Sequence, residues 1–479
     1  MPKTKLDEAA LPFATIPQLN QALKAREISC LELVKFFGKR LDKFGPRYNA
    51  LALWLEKHVH RAAKDVDAEF KDERWRGPLQ GIPYGAKDLL SVAKHPTTWG
   101  AKPYAEQVFE ENATVIQRLE GVRAICLAKL SMVQLAGGGG YGSASASLQG
   151  PGLNPWNTQY WSGGSSSGSG AAVAAGLIPF ALGSETSGSI LTPACFCGVT
   201  GLRPTYGLVS RHGAMPLSWT LDKIGVLART AEDCALVLHR IAGADEADPG
   251  SARKSFYYSA QYYRPTSDLK VGCAEIDWTQ WPDEPLRPAF TSALNVVKSL
   301  GAQMVDSRLP DFPYGPVIGT IIDSEAASVF EQLIRSGQVD QLADQSQIAG
   351  LKASLTYTAV DYLKAMRVRS QIQAAFRQMF ANLDLLVAPT RLSLADRADQ
   401  PFDETEPKRP DQRGIVKDLV QASNLCGLPA ITLPCGFVNG LPIGLQVVGP
   451  PFQENRVIAF ARAFQNCTDF HQKHPPLSA

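Results

Sequence analysis

Two serine- and glycine-rich turns, separated by an unbroken run of small and apolar residues, constrain this chain more than any other feature. The first turn, GGSSSGSG, begins at Gly163, and the second, GSETSGSI, contains Ser189. The sequence AAVAAGLIPFAL (171–182) joins them. Serine and glycine repeats are typical of flexible linkers, which are flanked by polar residues or domain ends. Because the flank here is apolar, the segment instead predicts two ordered turns held against a buried core.

Composition and charge favour an ordinary globular protein with ample core. Of the 479 residues, 45% are hydrophobic and 20% are charged, which is close to the average for globular domains. The formal net charge is only +2, and no run of basic residues exceeds two. A charge this small gives no attraction to nucleic acid or to an anionic membrane. We therefore expect no nucleic-acid partner and no membrane association.

Targeting segments and metal sites are not indicated either. The first 30 residues contain no apolar stretch of the kind found in secretory signals, and nowhere do 18 apolar residues follow one another. The nine cysteines, an odd number in apolar contexts, predict reduced and buried thiols in a cytoplasmic protein. Cys195 and Cys197 lie close together, but no second Cys or His pair completes a metal site. We expect both to pack in the core.

Helix-like and strand-like segments alternate along the chain, which predicts an α/β protein with a largely enclosed sheet. Ser29 is the expected N-cap of an amphipathic helix, and Asn439-Gly440 predicts the turn of a C-terminal hairpin. A second capped helix is predicted over 229–243. The predicted strands include GIPYGAK, AICLAKL, LIPFALGS, LDLLVAPT and LPAITLPCGF.

Ser189 is a candidate nucleophile, and a serine hydroxyl needs a base to remove its proton. Histidine is the usual base, but none of the seven histidines has a supporting sequence context. They fall on helical patterns (His58, His60, His239), in a polar tail (His471, His474), or after a strand or turn (His95, His212). The sequence therefore does not favour a serine–histidine arrangement.

Lys87 is the stronger candidate for the base, since a serine–lysine pair is a known solution to the same chemistry. The motif GIPYGAKDLL places it at the end of an apolar strand among small residues. Burial disfavours the ammonium form and so lowers the pKa of a lysine. The alternative is that Lys87 pairs with an acid such as Asp88.

A hydroxyl between Lys87 and Ser189 would let a proton pass from one to the other, because it can donate and accept at once. Four serines of the first turn are candidates, and the residues alone do not choose among them: Ser165, Ser166, Ser167 and Ser169. The backbone N–H groups from Glu185 to Ser189 are suitable donors to an oxyanion. A helix beginning at Ser189 would add its positive end.

The segment from GGSSSGSG to GLRPTYGLVSR resembles the amidase signature family. Supporting motifs follow in the family's order: GIPYGAKD, PGLNPWN, LDKIGVLARTAEDCALVLHRIAG, NLCGLPAITLPCGF and GLPIGLQVVGPPF. The match extends from about residue 25 to 465. The resemblance implies the amidase signature fold, a large mixed central sheet covered by helices on both faces, in one domain over 1–479. Its expected parts are an N-terminal helical segment (1–65), a core (66–250), a helical insertion (312–382) and C-terminal strands (383–465).

The resemblance also implies the roles of the site residues. Ser189 would be the nucleophile and Lys87 the base, with Ser165 bridging them after a cis peptide bond. Ser166 would support Lys87 or the bridge through its hydroxyl. The amides of Thr186, Ser187 and Gly188 would form the oxyanion hole. No metal and no organic cofactor are implied.

The chain departs from the family's commoner GTDTGGSIR in the second turn. Glu185 replaces the aspartate, Ser187 a glycine and Leu191 the arginine, and Ser167 stands at a usual glycine of the first turn. Leu191 removes a charge partner for Glu185, so the packing beneath the oxyanion loop is expected to differ. None of these changes removes a hydroxyl or amine of the triad, and activity should survive them.

We therefore expect an amidase that hydrolyses a carboxylic amide to a carboxylate and ammonia or an amine through an acyl-enzyme. Two alternatives stay open: the A subunit of a tRNA-dependent amidotransferase, which is a glutaminase, and a catalytically silent binding homologue. The expected partner is a small-molecule amide, and a homodimer is the default oligomeric state.

Substrate specificity is expected to depend on three variable segments, residues 137–150, 312–382 and 391–413. The last of these predicts an exposed loop. The aromatic candidates for an acyl pocket are Tyr141, Phe196 and Trp219, with core packing as the alternative role for each.

Overall fold

A mixed sheet of eleven strands forms the centre of the part of the chain that the computed structural model describes, residues 10–259, 265–274, 285–402 and 419–476. The strands are β1 (Leu51–Trp54), β2 (Pro83–Lys87), β3 (Ile125–Leu130), β4 (Leu153–Asn154), β5 (Asn157–Trp161), β6 (Phe180–Glu185), β7 (Thr200–Arg203), β8 (Lys223–Ala228), β9 (Lys270–Ala274), β10 (Gln303–Ser307), β11 (Leu385–Pro389), β12 (Ala430–Val438) and β13 (Leu441–Val448). Strands β4 and β5 pair separately as a small hairpin.

Helices lie between most of the strands. They are α1 (Ile16–Lys24), α2 (Cys30–Phe44), α3 (Glu56–Lys71), α4 (Thr114–Gly121), α5 (Ser167–Ala174), α6 (Leu191–Cys197), α7 (Ala231–Ile241), α8 (Leu286–Ser299), α9 (Tyr314–Val329), α10 (Glu331–Arg335), α11 (Gln345–Ser354), α12 (Ala359–Phe380), α13 (Leu419–Leu425) and α14 (Glu454–Asn466). Helices α5 and α6 contact each other and the middle of the sheet, and α7 and α14 form a second contacting pair against it. The predicted α/β class with a helix-covered mixed sheet is confirmed.

The strand order is β1-β3-β2-β6-β8-β7-β12-β13-β11-β9-β10. Strand β2 runs parallel to both β3 and β6, whereas β6, β8, β7, β12 and β13 are antiparallel neighbours. The carboxyl ends of β2, β3 and β6 therefore meet at one edge of the sheet. Ligands of open α/β sheets bind at the carboxyl ends of parallel strands. This edge holds the end of β2 at Lys87 and the end of β6 at Glu185.

The local signals of the sequence account for several element ends. Ser29 accepts from the amide of Glu32 at the start of α2, and the Glu32 carboxylate accepts from the Ser29 amide in return. Thr230 and Asp233 form the same reciprocal cap on α7. Asn439 and Gly440 join β12 to β13 with positive φ angles of 52° and 78°. The predicted caps and the C-terminal hairpin are confirmed.

The interior is continuous and strongly apolar. The five residues of β2, the six of β3 and the six of β6 are all buried, and so is all of α5. The small residues of AAVAA let α5 pack closely on the sheet, because alanine side chains allow the helix backbone to approach neighbouring strands. The prediction of ordered turns beside a rigid core is therefore confirmed, and a flexible linker is excluded for this segment.

Three expectations need correction. The thiols are free, but Cys467 is exposed and Cys273 and Cys426 are only partly buried. The predicted exposed loop is exposed only at 399–401 among residues 391–402; the rest is half-buried or buried, and its backbone accepts from the Trp161 amide and donates to the Gln159 carbonyl of β5. The rest of the predicted loop, 403–413, lies outside the described residues.

The third correction concerns the helix after Ser189, which begins at Leu191. The helical character of 312–382 is confirmed by α9 to α12. Among the described residues, none of the helices combines the length and apolar character that crossing a bilayer requires.

Candidate active site

Lys87 ends strand β2 with its amine in a fully buried, hydroxyl-lined position. Its Nζ lies 2.7 Å from Ser165 Oγ and 2.9 Å from Ser184 Oγ. Burial lowers the pKa of Lys87 to about 7, although the negative charges of Asp222 and Glu185 oppose this shift. With this pKa, about half of the Lys87 amine is neutral at pH 7, and the neutral amine can accept a proton, as a general base must.

The neighbouring acid, Asp88, does not neutralise Lys87. Its Oδ1 lies 2.7 Å from the Nζ of Lys129, and both side chains are buried. Its Oδ2 accepts from the Thr98 amide at 3.1 Å. The alternative in which Lys87 pairs with Asp88 is therefore wrong, because Asp88 is already held by a different lysine.

Ser165 follows a cis peptide bond to Gly164, as the family resemblance implied. The Ser165 carbonyl accepts from the Val133 amide at 3.0 Å, which fixes the turn against the segment that follows β3. Gly164 has no room for a side chain, since a Cβ there would come within 2.6 Å of Trp161 and 3.0 Å of the Tyr141 hydroxyl. A glycine is therefore required before Ser165.

Ser166 does not contact Lys87 or Ser165 through its hydroxyl. The Ser166 hydroxyl donates to the Ser184 carbonyl at 3.2 Å and accepts from the Ser184 amide at 3.3 Å. The Ser166 amide donates to the Ser189 carbonyl at 3.2 Å. Ser166 thus ties the first turn to the second, and its support of Lys87 passes through Ser184.

Ser184 is a site residue that sequence reasoning missed. It lies one position before Glu185 at the end of β6, and its hydroxyl is a direct partner of the Lys87 amine. The parallel register of β2 on β6, Ala86 opposite Leu182, brings the two side chains together. The signal was a hydroxyl inside the GSETSGSI motif, but only the register shows which serine faces the lysine.

Glu185 anchors the turn that carries Ser189. Its Oε2 accepts from the amides of Ile190 and Leu191 at 2.8 and 3.0 Å, the first amides after Ser189. Its Oε1 lies 2.7 Å from Arg203 Nη1, and both side chains are fully buried. Arg203 therefore supplies the charge partner that Leu191 lacks. These contacts hold the pKa of Glu185 below its ordinary value despite burial.

The amides between Glu185 and Ser189 are the remaining donors of this turn. Over the described residues, no protein acceptor is found for the amide hydrogens of Ser187 and Gly188. Gly188 has a φ of +90°, which favours glycine and orients the turn. The helix that follows adds no free donors, because Glu185 already accepts from its first amides. The sequence expectation that a helix end would serve an oxyanion is corrected accordingly.

Thr186 is tied to a second carboxylate, that of the half-buried Asp222. Its Oγ1 lies 2.6 Å from Asp222 Oδ1, while the amides of Leu217 and Ser218 donate to Asp222 Oδ2 at 2.8 Å each. The second turn is therefore held from both sides, by Glu185 after the nucleophile position and by Asp222 before it.

A cavity of about 550 Å³ reaches Ser184 and Thr186 at this edge of the sheet. Its walls come from the segments after β2 and β3 and from residues 206–224 and 247–250. His212 lies in this lining, although no hydrogen bond joins it to Lys87. His95 is not part of this lining, and its Nδ1 bonds the Ala93 carbonyl. The side chain of His58 lies outside the described part of the chain.

The three aromatic candidates separate into two groups. Phe196 is buried and contacts Trp161 within an aromatic cluster that also includes Tyr141, with ring centroids about 6 Å apart. Trp219 instead lines the cavity and is 45% exposed, so core packing is not its role.

Comparisons with known proteins identify the family of the chain. The family described as Amidase matches residues 32–458 of the chain. The A subunit of the glutamyl-tRNA(Gln) amidotransferase of Dechloromonas aromatica is 34% identical to it, over 96% of this chain and 99% of the relative. The peptide amidase of Stenotrophomonas maltophilia superposes with a TM-score of 0.81 at 28% identity, covering 95% of this chain and 97% of that one.

A further solved structure is described as a vestigial protein complex that reveals the evolutionary origins of an s-triazine catabolic enzyme. It superposes with a TM-score of 0.85 at 26% identity, covering 97% of this chain and all of the other. Similarity over nearly the full length, in sequence and in fold, leaves one assignment. The chain belongs to the amidase signature family, whose enzymes act on amide C–N bonds.

Proposed function

We propose that this chain is an amidase in which Ser189 is the nucleophile, Lys87 the general base and Ser165 the bridging hydroxyl. The observation that carries the proposal is the buried Lys87 amine, 2.7 Å from Ser165 Oγ and without an acidic partner among the described residues. Because its partners are hydroxyls, this amine is not half of a salt bridge among the described residues. Its lowered pKa suits proton transfer at neutral pH.

In the first half of the reaction, Ser189 Oγ bonds to the substrate carbonyl carbon while its proton moves to Ser165, and the Ser165 proton moves to Lys87 Nζ. The carbonyl oxygen becomes an oxyanion, which the amides of Thr186, Ser187 and Gly188 stabilise. Preorganised donors of this type contribute about 3–4 kcal/mol each to transition-state stabilisation.

In the second half, the C–N bond breaks, and Lys87 returns its proton through Ser165 to the leaving nitrogen. Ammonia or an amine departs, and Ser189 is left as an ester. Water then attacks the ester carbon, with Lys87 and Ser165 removing its proton. The bond between the ester carbon and Ser189 Oγ breaks, Lys87 returns the proton through Ser165 to Ser189, and the acid product leaves as the carboxylate after losing its own proton to solvent. Ser184 and Ser166 hold the amine and the two turns in register throughout.

A panel of aliphatic, aryl and peptide amides tests the proposal. Release of ammonia or amine by the wild-type chain, and its loss in Ser189→Ala, is the expected result. Hydrolysis that persists at the wild-type rate in Ser189→Ala would show that the site lies elsewhere.

A second candidate function comes from the names of the relatives. Those at 34% identity are named as the A subunit of a glutamyl-tRNA(Gln) amidotransferase, and they align over almost their full length. The expectation of no nucleic-acid partner, drawn from net charge, is at odds with these names. On this reading the chain would release ammonia from glutamine within a complex and contact tRNA.

We favour the free-standing amidase because the departures at Glu185 and Leu191 resemble the free-standing amidases more than the amidotransferases. Arg203 compensates for these departures within the chain itself. Co-purification of a stable partner, with glutamine hydrolysed only in its presence, would instead support the second candidate. Failure of a fluorophosphonate to label the folded chain would support a silent binding homologue.

A further inference from the structure

The cavity of about 550 Å³ lies next to the proposed catalytic groups. Two of its lining residues belong to the site: Ser184, whose hydroxyl is 2.9 Å from the Lys87 amine, and Thr186, the first residue of the proposed oxyanion turn. The cavity therefore opens beside the lysine and not in a remote part of the fold. A substrate bound at Ser189 therefore has room for one of its substituents in this cavity.

The walls of this space are mainly apolar. Leu89 and Ala136 follow β2 and β3, and Met215 and Leu217 come from the segment before β8. All four side chains are buried or nearly so. Aromatic surface is added by Tyr206 and Trp219 toward the mouth. A lining of this kind suits an apolar or aromatic group of a ligand, since ligand pockets combine apolar walls with few polar groups.

The charged groups of the lining all have hydrogen-bond partners within the protein. Arg211 Nη2 lies 2.7 Å from Asp248 Oδ1, and its guanidinium stacks on the Tyr206 ring at 4.9 Å. Asp222 accepts three hydrogen bonds from the turn and the adjoining loop. Lys223 donates to the Leu221 carbonyl. A charged ligand group would lose its hydration among these mainly apolar walls, which costs free energy.

The imidazole of His212 is a polar group of the lining that is left for a ligand. His212 borders the cavity, and over the described residues its ring makes no hydrogen bond to the protein. The site therefore combines mainly apolar walls, charged groups that already have partners within the protein, and the His212 imidazole. This is the lining of a pocket for a neutral group.

We propose that this cavity binds a neutral apolar or aryl substituent on the amine side of the substrate, so that the enzyme prefers N-substituted amides over primary amides. The inference rests on the proposed function above. The amine side is assigned because the leaving nitrogen must receive its proton from Lys87 through Ser165, and the cavity opens beside the same lysine through Ser184. The aromatic cluster of Tyr141 and Trp161 lies against Gly164 and is not part of the cavity lining.

The mouth of the cavity offers variants that leave the core and the catalytic groups untouched. Ala247 and Trp219 both line it and are exposed. Ala247→Trp narrows the entrance, and Trp219→Ala removes one wall. The matched control is Trp75→Ala, a 52% exposed tryptophan that lies over Lys24 and outside the lining.

The substrates are anilides and primary amides of the same three acids, acetic, butyric and benzoic. For anilides, kcat/KM should fall at least tenfold in Ala247→Trp, mainly through KM, and several-fold in Trp219→Ala. For the primary amides both variants should stay within twofold of wild type, and Trp75→Ala should leave both substrate classes unchanged. Equal effects on the two classes, or effects that follow the acid rather than the amine, would overturn the inference.

Binding separates this inference from the proposed function. Calorimetry on Ser189→Ala, which cannot turn over, should show anilides binding at least tenfold more tightly than the matching primary amides. Adding Ala247→Trp should remove that difference. If Ser189→Ala still hydrolyses amides while the binding difference holds, the catalytic assignment fails and the pocket stands. If Ser189→Ala abolishes turnover but anilides bind no tighter than primary amides, the pocket assignment fails alone.

Discussion

The Asp88 carboxylate lies 2.7 Å from the Lys129 amine, with both side chains buried, and this pairing keeps Asp88 from neutralising the adjacent Lys87. Lys87 is bonded to hydroxyls instead. The two lysines lie at or next to the ends of neighbouring parallel strands, at the same edge of the sheet, and only one of them is neutralised. The account of catalysis depends on this division of roles.

The first prediction concerns the two ends of the proposed relay. Ser189→Ala removes the nucleophile and Lys87→Met removes the base while keeping the length and apolar character of the side chain. Each should lower kcat by at least about 10³-fold, since groups that act as a unit each cost most of the catalytic effect. Amide hydrolysis measured by ammonia release checks this.

Two exposed residues provide the controls, Ser145→Ala and Lys64→Ala. Both should retain wild-type rates. Near-normal turnover in either Ser189→Ala or Lys87→Met would contradict the assignment of that residue.

The second prediction is a pH dependence set by Lys87. Its pKa of about 7 in the folded protein lies below the ordinary lysine range, and only the neutral amine accepts a proton. The value of kcat/KM should therefore rise with pH up to about 7 and fall about tenfold per unit below it. A pH–rate profile with a stable amide tests this, and a profile flat from pH 5 to 9 would rule out Lys87 as the base.

The same shift affects stability in a direction that can be measured separately. Between pH 7 and about 10 the unfolded lysine binds a proton that the folded Lys87 does not, so the free energy of unfolding should rise with pH in this window. Urea denaturation of wild type and Lys87→Met should show this slope in the wild type and a smaller one in the variant. Identical slopes would indicate that Lys87 is charged in the folded state.

Much of this arrangement could be read from the sequence, and the parts that could not were tertiary. Lys87 and Ser189 were candidates from the small residues and turns of their motifs, whereas the choice of Ser165 among four serines came from the family resemblance. Ser184 was missed because its contact with Lys87 depends on the register of β6 against β2. A one-residue slip would turn that hydroxyl to the other face of the sheet.

The charge partner of Glu185 could not be predicted from the sequence either. The sequence indicated that Leu191 had removed a charge partner, but Arg203 lies on β7, two strands away in the sheet order. For Trp219 the sequence left core packing open as a role, because large aromatic residues usually are buried. Its position at a cavity mouth follows from how residues 206–224 pass over the sheet edge, which no local pattern encodes.

The third prediction tests the Glu185 anchor. Glu185→Gln leaves the Arg203 charge buried without its partner and should lower the free energy of unfolding by about 3–5 kcal/mol. Because Glu185 also holds the amides after Ser189, the fold decrease in kcat should exceed the fold change in KM. Urea denaturation and steady-state kinetics check the two effects.

The control for the anchor is Arg335→Ala, which breaks an exposed pair with Glu331 on α10. That change should cost less than about 1 kcal/mol. If Glu185→Gln costs no more than this surface variant, the buried pair does not anchor the turn.

The fourth prediction concerns Ser184. Lys87 donates to its hydroxyl, and this bond stabilises the charged amine, so Ser184→Ala should lower the pKa of Lys87 further. A lost hydrogen bond of about 1 kcal/mol corresponds to roughly 0.7 pH unit. The acidic limb of the pH–rate profile should move down by about that amount, while Ser145→Ala leaves it in place. A limb that moves to higher pH would contradict the assigned contact.

The fifth prediction concerns the turn that would hold the oxyanion. A Cβ at Gly188 would meet Thr192 Oγ1 at 3.2 Å and Val420 at 3.3 Å, and a φ of +90° is strained for alanine. Gly188→Ala should therefore cost about 1–3 kcal/mol of stability and lower kcat by about 10²-fold through misplaced donors. Gly121→Ala, with nothing within 4 Å, should be neutral. Equal kcat values for the two variants would remove the turn from the mechanism.

The most direct test is to find which atom becomes covalently modified. The folded chain is treated with a fluorophosphonate at pH 8 and its peptides are mapped by mass spectrometry, with the Lys87→Met variant in parallel. The account predicts one phosphonyl adduct, on Ser189, with labelling at least about 10²-fold slower in Lys87→Met. An adduct on Ser165 or on any other residue, or equally fast labelling without the Lys87 amine, would contradict it.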